Sequence, residues 1–97
     1  MMFIVTEKTT PAGQVILVIT DSELVGKVFT EGNKQLDLSK DFYKGEEKTL
    51  DEIKSLIKKA YVLHLTGKGS VQLCTDLGYV EKVIVIDSVP HAEVLLE

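Results

Sequence analysis

Val15-Ile16-Leu17-Val18-Ile19 is an unbroken apolar run made mostly of β-branched residues. Branching at Cβ favours extended backbone. A strand with no polar position on either face is buried on both sides. The chain must therefore build a sheet in which this segment lies at a central position. Phe3-Ile4-Val5 upstream has the same character, and Pro11-Ala12-Gly13 between the two supplies turn chemistry. Strands over residues 2–6 and 14–20 are predicted to pair as an antiparallel hairpin.

The rest of the chain reads as short elements around that hairpin. Asp21-Ser22 is expected to cap a single helical turn over 23–25, ended by Gly26 in the left-handed region. Short strands are expected over 27–30 and 35–38, joined by Glu31-Gly32-Asn33-Lys34. Residues 39–48 are polar except for Phe42-Tyr43 and read as a loop with its aromatic pair turned inward. Thr49-Leu50-Asp51-Glu52 is a capping box. Leu50, Ile53, Leu56, Ile57, Ala60 and His64 then recur at spacings of three and four, which predicts a helix running to Gly67. A second helix is expected over 70–77, with Val71, Cys74 and Leu77 inward and Gly78 as its stop. Residues 83–86 read as a second central strand, and 92–96 as an edge strand or tail. The order implies an α+β fold: one domain over residues 1–97, a mixed sheet opening with the hairpin, and two helices packed on one face.

Ninety-seven residues suffice for one core and not two. At 44% hydrophobic and 27% charged, the composition is that of a folded chain rather than a disordered one. The apolar run at 15–19 is far shorter than the roughly 20 residues that cross a bilayer, so no membrane association is expected. No basic stretch followed by an apolar segment and a cleavage site opens the sequence, so no signal peptide is expected. The single cysteine, Cys74, leaves no internal disulfide and fits a reducing cytoplasm. All 11 basic residues are lysines, and the net charge is −4. Without arginine for bidentate contacts, and with a charge that repels polyanions, autonomous DNA binding is not expected.

Thr66-Gly67-Lys68-Gly69-Ser70 invites comparison with a phosphate-binding loop. The glycine order does not match the Walker pattern, and a helix is predicted before it, so it reads as a helix-to-helix turn capped by Ser70. His64 continues the buried helical stripe and reads as a core histidine. Two histidines without a Cys-x-x-Cys or His-x-x-x-His pattern do not make a zinc site, and neither metal nor cofactor is expected. Cys74 reads as a small core residue. Glu46-Glu47 and Asp51-Glu52 read as solvated acidic faces, the second pair favoured at a helix N-terminus.

Two positions stay open. In Val89-Pro90-His91-Ala92 the residue before proline is held extended and proline fixes its own φ. His91 therefore leaves its strand in a defined direction, with no packing pattern to account for an imidazole. Lys27 follows the tight Gly26 and is either an anion- or partner-binding lysine on a rigid turn or an ordinary surface lysine. Gly26, Lys27, Phe42, Tyr43, Pro90 and His91 are expected to form one surface patch.

The opening hairpin, Leu24-Val25-Gly26-Lys27-Val28-Phe29, Phe42-Tyr43-Lys44-Gly45, the segment 69–78 and Val89-Pro90-His91-Ala92 occur in an order that resembles a small archaeal family, the domain of unknown function numbered 424. The resemblance spans nearly the whole chain. It departs at Glu93, where the family pattern has glutamine, so a role requiring an amide there is not carried over. The resemblance implies a single cytoplasmic archaeal domain with no established activity, in the company of translation factors. The expected function is accordingly a non-enzymatic, translation-associated module for a protein or ribonucleoprotein partner. The alternatives are a small enzyme with His91 as general acid or base and Lys27 as anion clamp, or a homodimer formed through the 92–96 edge.

Overall fold

A computed structural model describes residues 2–80 and 82–96. The opening hairpin forms as its sequence dictates. β1 (Phe3–Thr9) and β2 (Val15–Asp21) pair antiparallel from Phe3↔Asp21 to Thr9↔Val15. β2 is interior because β6 (Val62–Thr66) runs parallel along its other side. Parallel neighbours need a crossover, and α1 (Leu50–Ile57) lies within it. β8 (Val89–Leu95) pairs antiparallel with β6, and β7 (Ile84–Ile86) pairs antiparallel with β8. β5 (Glu46–Lys48) pairs antiparallel with β1, which completes the mixed sheet in the order β5-β1-β2-β6-β8-β7. β3 (Val28–Glu31) and β4 (Lys34–Asp37) form a separate hairpin.

Strand alternation sorts the side chains onto two faces. Phe3, Val5, Leu17, Ile19, Leu63, Leu65 and Ala92 share one face and pack against Ile53 and Ile57 of α1 and Val71 and Cys74 of α2 (Lys68–Asp76). Both helices therefore cover the same face, as the sequence pattern implies. On the opposite face Val89 packs with Leu36 and Leu38, supported by Phe29, Tyr43 and Ile86, so the small hairpin covers part of that side. No helix among the described residues is long and apolar enough to cross a membrane.

Several sequence expectations are corrected. The helix begun by the Thr49 capping box stops at Ile57 rather than at Gly67. Lys59 and Ala60 close a turn onto Leu56 and Ile57, and the Tyr61 N–H donates to the Val15 carbonyl at 2.7 Å to start β6. His64 continues the three-and-four spacing by coincidence and lies on a strand. Residues 83–86 are not central: β7 is an edge strand with Ile84 and Val85 half exposed. β8 is interior only over Val89–His91, where β7 pairs with it. Among the described residues Ala92–Leu95 are bonded to β6 on one side alone, so the edge-strand reading of this segment holds and the tail reading does not. The loop at 39–48 contains a one-turn 3-10 helix at Asp41–Tyr43 and then β5, whose Glu-Glu-Lys sequence has little strand propensity. Leu50 and Leu77, expected to face inward, are exposed.

Candidate functional site

The sheet face opposite the helices carries the polar constellation. Register sets two rows across the strands on this face: Thr20–Thr66–His91–Ile84 and Val18–His64–Glu93. Thr20 and Thr66 are fully buried, whereas His64 and His91 are partly open to solvent. His91 Nδ1 and Thr66 Oγ1 are 2.9 Å apart, a hydrogen bond whose donor is set by the imidazole tautomer. His64 Nδ1 lies 3.4 Å from Glu93 Oε1. Thr20 Oγ1, next in the row from Thr66, has no hydrogen-bond partner among the described residues.

The 3-10 turn at Asp41–Tyr43 supplies the aromatic wall. Phe42 meets His64 edge-on with ring centroids 5.1 Å apart, and Tyr43 meets Phe42 at the same separation. The two imidazoles are 6.2 Å apart. Burial lowers the His91 pKa below its ordinary value, and the neighbouring His64 adds to this while Glu93 opposes it. Burial likewise raises the Tyr43 pKa, reinforced by Asp37 and Glu93. A cavity of about 320 Å³ lined by Lys82, Ile84, His91, Ala92 and Glu93 adjoins the cluster.

Part of the expected patch comes together here. Phe42 and His91 flank His64, a residue the sequence pattern assigns to a helix core, and Tyr43 joins them through Phe42. Pro90 sits next to His91 but on the opposite sheet face, paired with Val85, and its carbonyl accepts from the Gly67 N–H at 2.9 Å. Gly26 and Lys27 are exposed at the stem of the small hairpin, held by backbone bonds to Leu38 and Leu24. No hydrogen bond joins Lys27 to His91 among the described residues. The sequence reading names His64, Thr66 and Glu93 but does not bring them into the site. The signal for them is the alternation His91-x-Glu93 on a strand beside His64-x-Thr66 on its neighbour, visible once 62–66 is read as extended.

The glycine-rich turn has a different context from the one expected. It joins β6 to α2 and is a strand-to-helix turn, the setting a phosphate loop requires. Asp21, expected to cap the turn that follows β2, instead reaches this helix across 48 residues. Its carboxylate accepts from the Gly69 N–H at 2.9 Å, the Ser70 N–H at 2.7 Å and the Ser70 hydroxyl at 2.7 Å. The backbone donors that would hold a phosphate are thus already bonded to a carboxylate. Gly67 has φ +106°, and a Cβ there would collide with the Asp21 side chain. Elsewhere, burial pushes the Cys74 thiol up to about 11, the opposite of a reactive thiolate. Glu52 accepts from the Thr49 N–H as the capping box requires, and Lys48 pairs with Glu46 at 3.4 Å and Glu52 at 3.9 Å.

A model of the family described as "Protein of unknown function (DUF424)" matches residues 9–96. No curated protein matches the chain. Among solved structures the chain is similar to an uncharacterized conserved protein from Methanopyrus kandleri. That likeness has a TM-score of 0.80 at 18% identity, over 100% of this chain and 95% of the other, and it bears on the fold alone.

Proposed function

Because the chain belongs to the DUF424 family, whose description assigns no activity, we propose from its surface that it is a non-enzymatic cytoplasmic interaction module that docks a protein partner along β7. The observation that carries this reading is the contrast between the two edges of the sheet. β5 reads Glu-Glu-Lys, the charged protection that edge strands usually carry. β7 reads Ile-Val-Ile, with Ile84 49% and Val85 50% exposed on opposite faces. An unprotected apolar edge offers both main-chain bonds and side-chain pockets to an added strand. A net charge of −4 favours an extended protein segment over bare RNA as the occupant. The Phe42, Tyr43 and His91 cluster flanks this edge through the His91↔Ile84 pair. Pro90 lies beside Val85, and Gly26 and Lys27 extend the surface along the small hairpin, which touches β7.

Capture from a nuclease-treated extract, followed by hydrogen exchange with the purified partner, tests this. The expected result is that Val85→Lys abolishes capture and that the partner protects the Val85 amide, the one in β7 that faces away from β8. Capture that survives Val85→Lys or disappears with nuclease overturns it. So does self-association that Val85→Lys dissolves, which would make a second copy of this chain the occupant.

A further inference from the structure

We propose that His64, His91 and Glu93 form a binding site for a divalent transition-metal ion of the zinc class. One ligand atom from each of the three lies within 4.8 Å of the others. The arrangement is built into the backbone: His64 and Glu93 are register partners across β6 and β8, and His91 is two residues from Glu93 on the same face of β8. Two ligands bound tetrahedrally at about 2.0–2.1 Å stand roughly 3.3 Å apart. The 3.4 Å between His64 Nδ1 and Glu93 Oε1 matches that spacing. Bringing in His91 from the 4.8 Å outer limit of the cluster needs a side-chain adjustment of about 1.5 Å.

The surroundings are those that such an ion requires. Ligating imidazoles are generally oriented by a hydrogen bond to their second nitrogen. Thr66 Oγ1 provides this at His91 Nδ1, which leaves Nε2 as the ligating nitrogen. Phe42 packs on His64 and shields one side of the site. The cavity of about 320 Å³ beside His91 and Glu93 gives an entry path and room for a fourth, exchangeable ligand. Two imidazoles and one carboxylate select zinc-like ions over magnesium or calcium, which prefer all-oxygen sites. The docking reading does not depend on this site, since Val85 lies on the other sheet face and Val85→Lys leaves all three ligands in place.

Untagged protein stripped with chelator and titrated calorimetrically with Zn²⁺, and in parallel with Co²⁺ as a visible spectroscopic probe, tests the site. One ion per chain is expected, with the absorption of a four- or five-coordinate cobalt centre. Glu93→Gln, His64→Ala and His91→Ala should each weaken binding, and Thr66→Val should weaken it by about 10-fold or more through loss of the orienting bond. Glu93 is exposed, with a side chain 64% accessible, so Glu93→Gln tests the site without threatening the fold. No saturable binding to the native chain, or affinity unchanged in Glu93→Gln, overturns the proposal.

Discussion

Thr66 Oγ1 stands 2.9 Å from His91 Nδ1, tying the histidine that the sequence singles out to a fully buried hydroxyl on the next strand. Thr20 lies directly across from Thr66 in the same row, equally buried, with a hydroxyl that has no partner among the described residues. Replacing both threonines in turn by valine, a near-isostere that suits a strand, should therefore have opposite effects. Thr66→Val strands an imidazole nitrogen and should cost about 1–3 kcal/mol. Thr20→Val removes a buried unpaired hydroxyl and should be neutral or stabilising by about 1 kcal/mol. Urea denaturation of the two variants measures the difference; equal losses would refute the distinction between the hydroxyls.

The same histidine makes stability depend on pH. Burial and His64 hold its folded pKa below the ordinary 6.5, with Glu93 opposing them. Between the two values the unfolded chain binds the proton that the folded chain refuses, so stability rises with pH there. His91's contribution is fully present above about pH 6.5 and is lost as pH falls through the folded value. Urea midpoints of the metal-free protein should drop as pH falls from about 7 to 5, and His91→Asn should flatten that slope. A slope identical in the variant would assign the dependence to other groups.

What was legible in the sequence divides along physical lines. The Val15–Asp21 strand, the capping box at Thr49 and the stop at Gly78 announce themselves locally, through β-branching, paired side-chain bonds and a left-handed glycine. β6 was lost because Ile57, Ala60 and His64 keep a helical interval across a turn that contains neither glycine nor proline. A buried strand and a buried helix face are then alike in pattern, and only the long-range bond from Tyr61 to Val15 decides between them. β7 was misjudged for a related reason, since whether a strand is central or an edge depends on its neighbours and not on its own composition, whereas β5 reads as loop because Glu-Glu-Lys has little strand propensity. The candidate site followed β6, because His64 meets Glu93 and His91 only across strands.

The helix face is tested by two aspartates about two turns apart. Ile57 is 3% exposed at the centre of the core, whereas Leu50 is 44% exposed in the first turn of α1. Ile57→Asp buries an unpaired charge and should cost about 3 kcal/mol or more. Leu50→Asp places a negative charge at a helix N-terminus, where it is favoured, and should stay within about 0.5 kcal/mol of the native chain. Thermal melts that shift alike for both would show that the face is assigned wrongly.

Asp21 takes the place at α2 that a phosphate would need. Its carboxylate accepts three hydrogen bonds from Gly69 and Ser70, and Gly67 admits no side chain beside it. Asp21→Ala strips the cap and leaves these donors buried without an acceptor, so a loss of about 3 kcal/mol is expected in urea denaturation. The same occupancy predicts that the native chain binds neither ATP nor GTP at residues 67–70, with or without magnesium, and that Lys68→Ala changes nothing in a nucleotide titration. The turn has the strand-to-helix setting of a phosphate loop but lacks its glycine order, and a nucleotide would have to displace a carboxylate already bonded at 2.7 Å. Magnesium-dependent micromolar binding that Lys68→Ala abolishes would mean that Asp21 yields its place, and the cap would then be a gate rather than a fixed part of the fold.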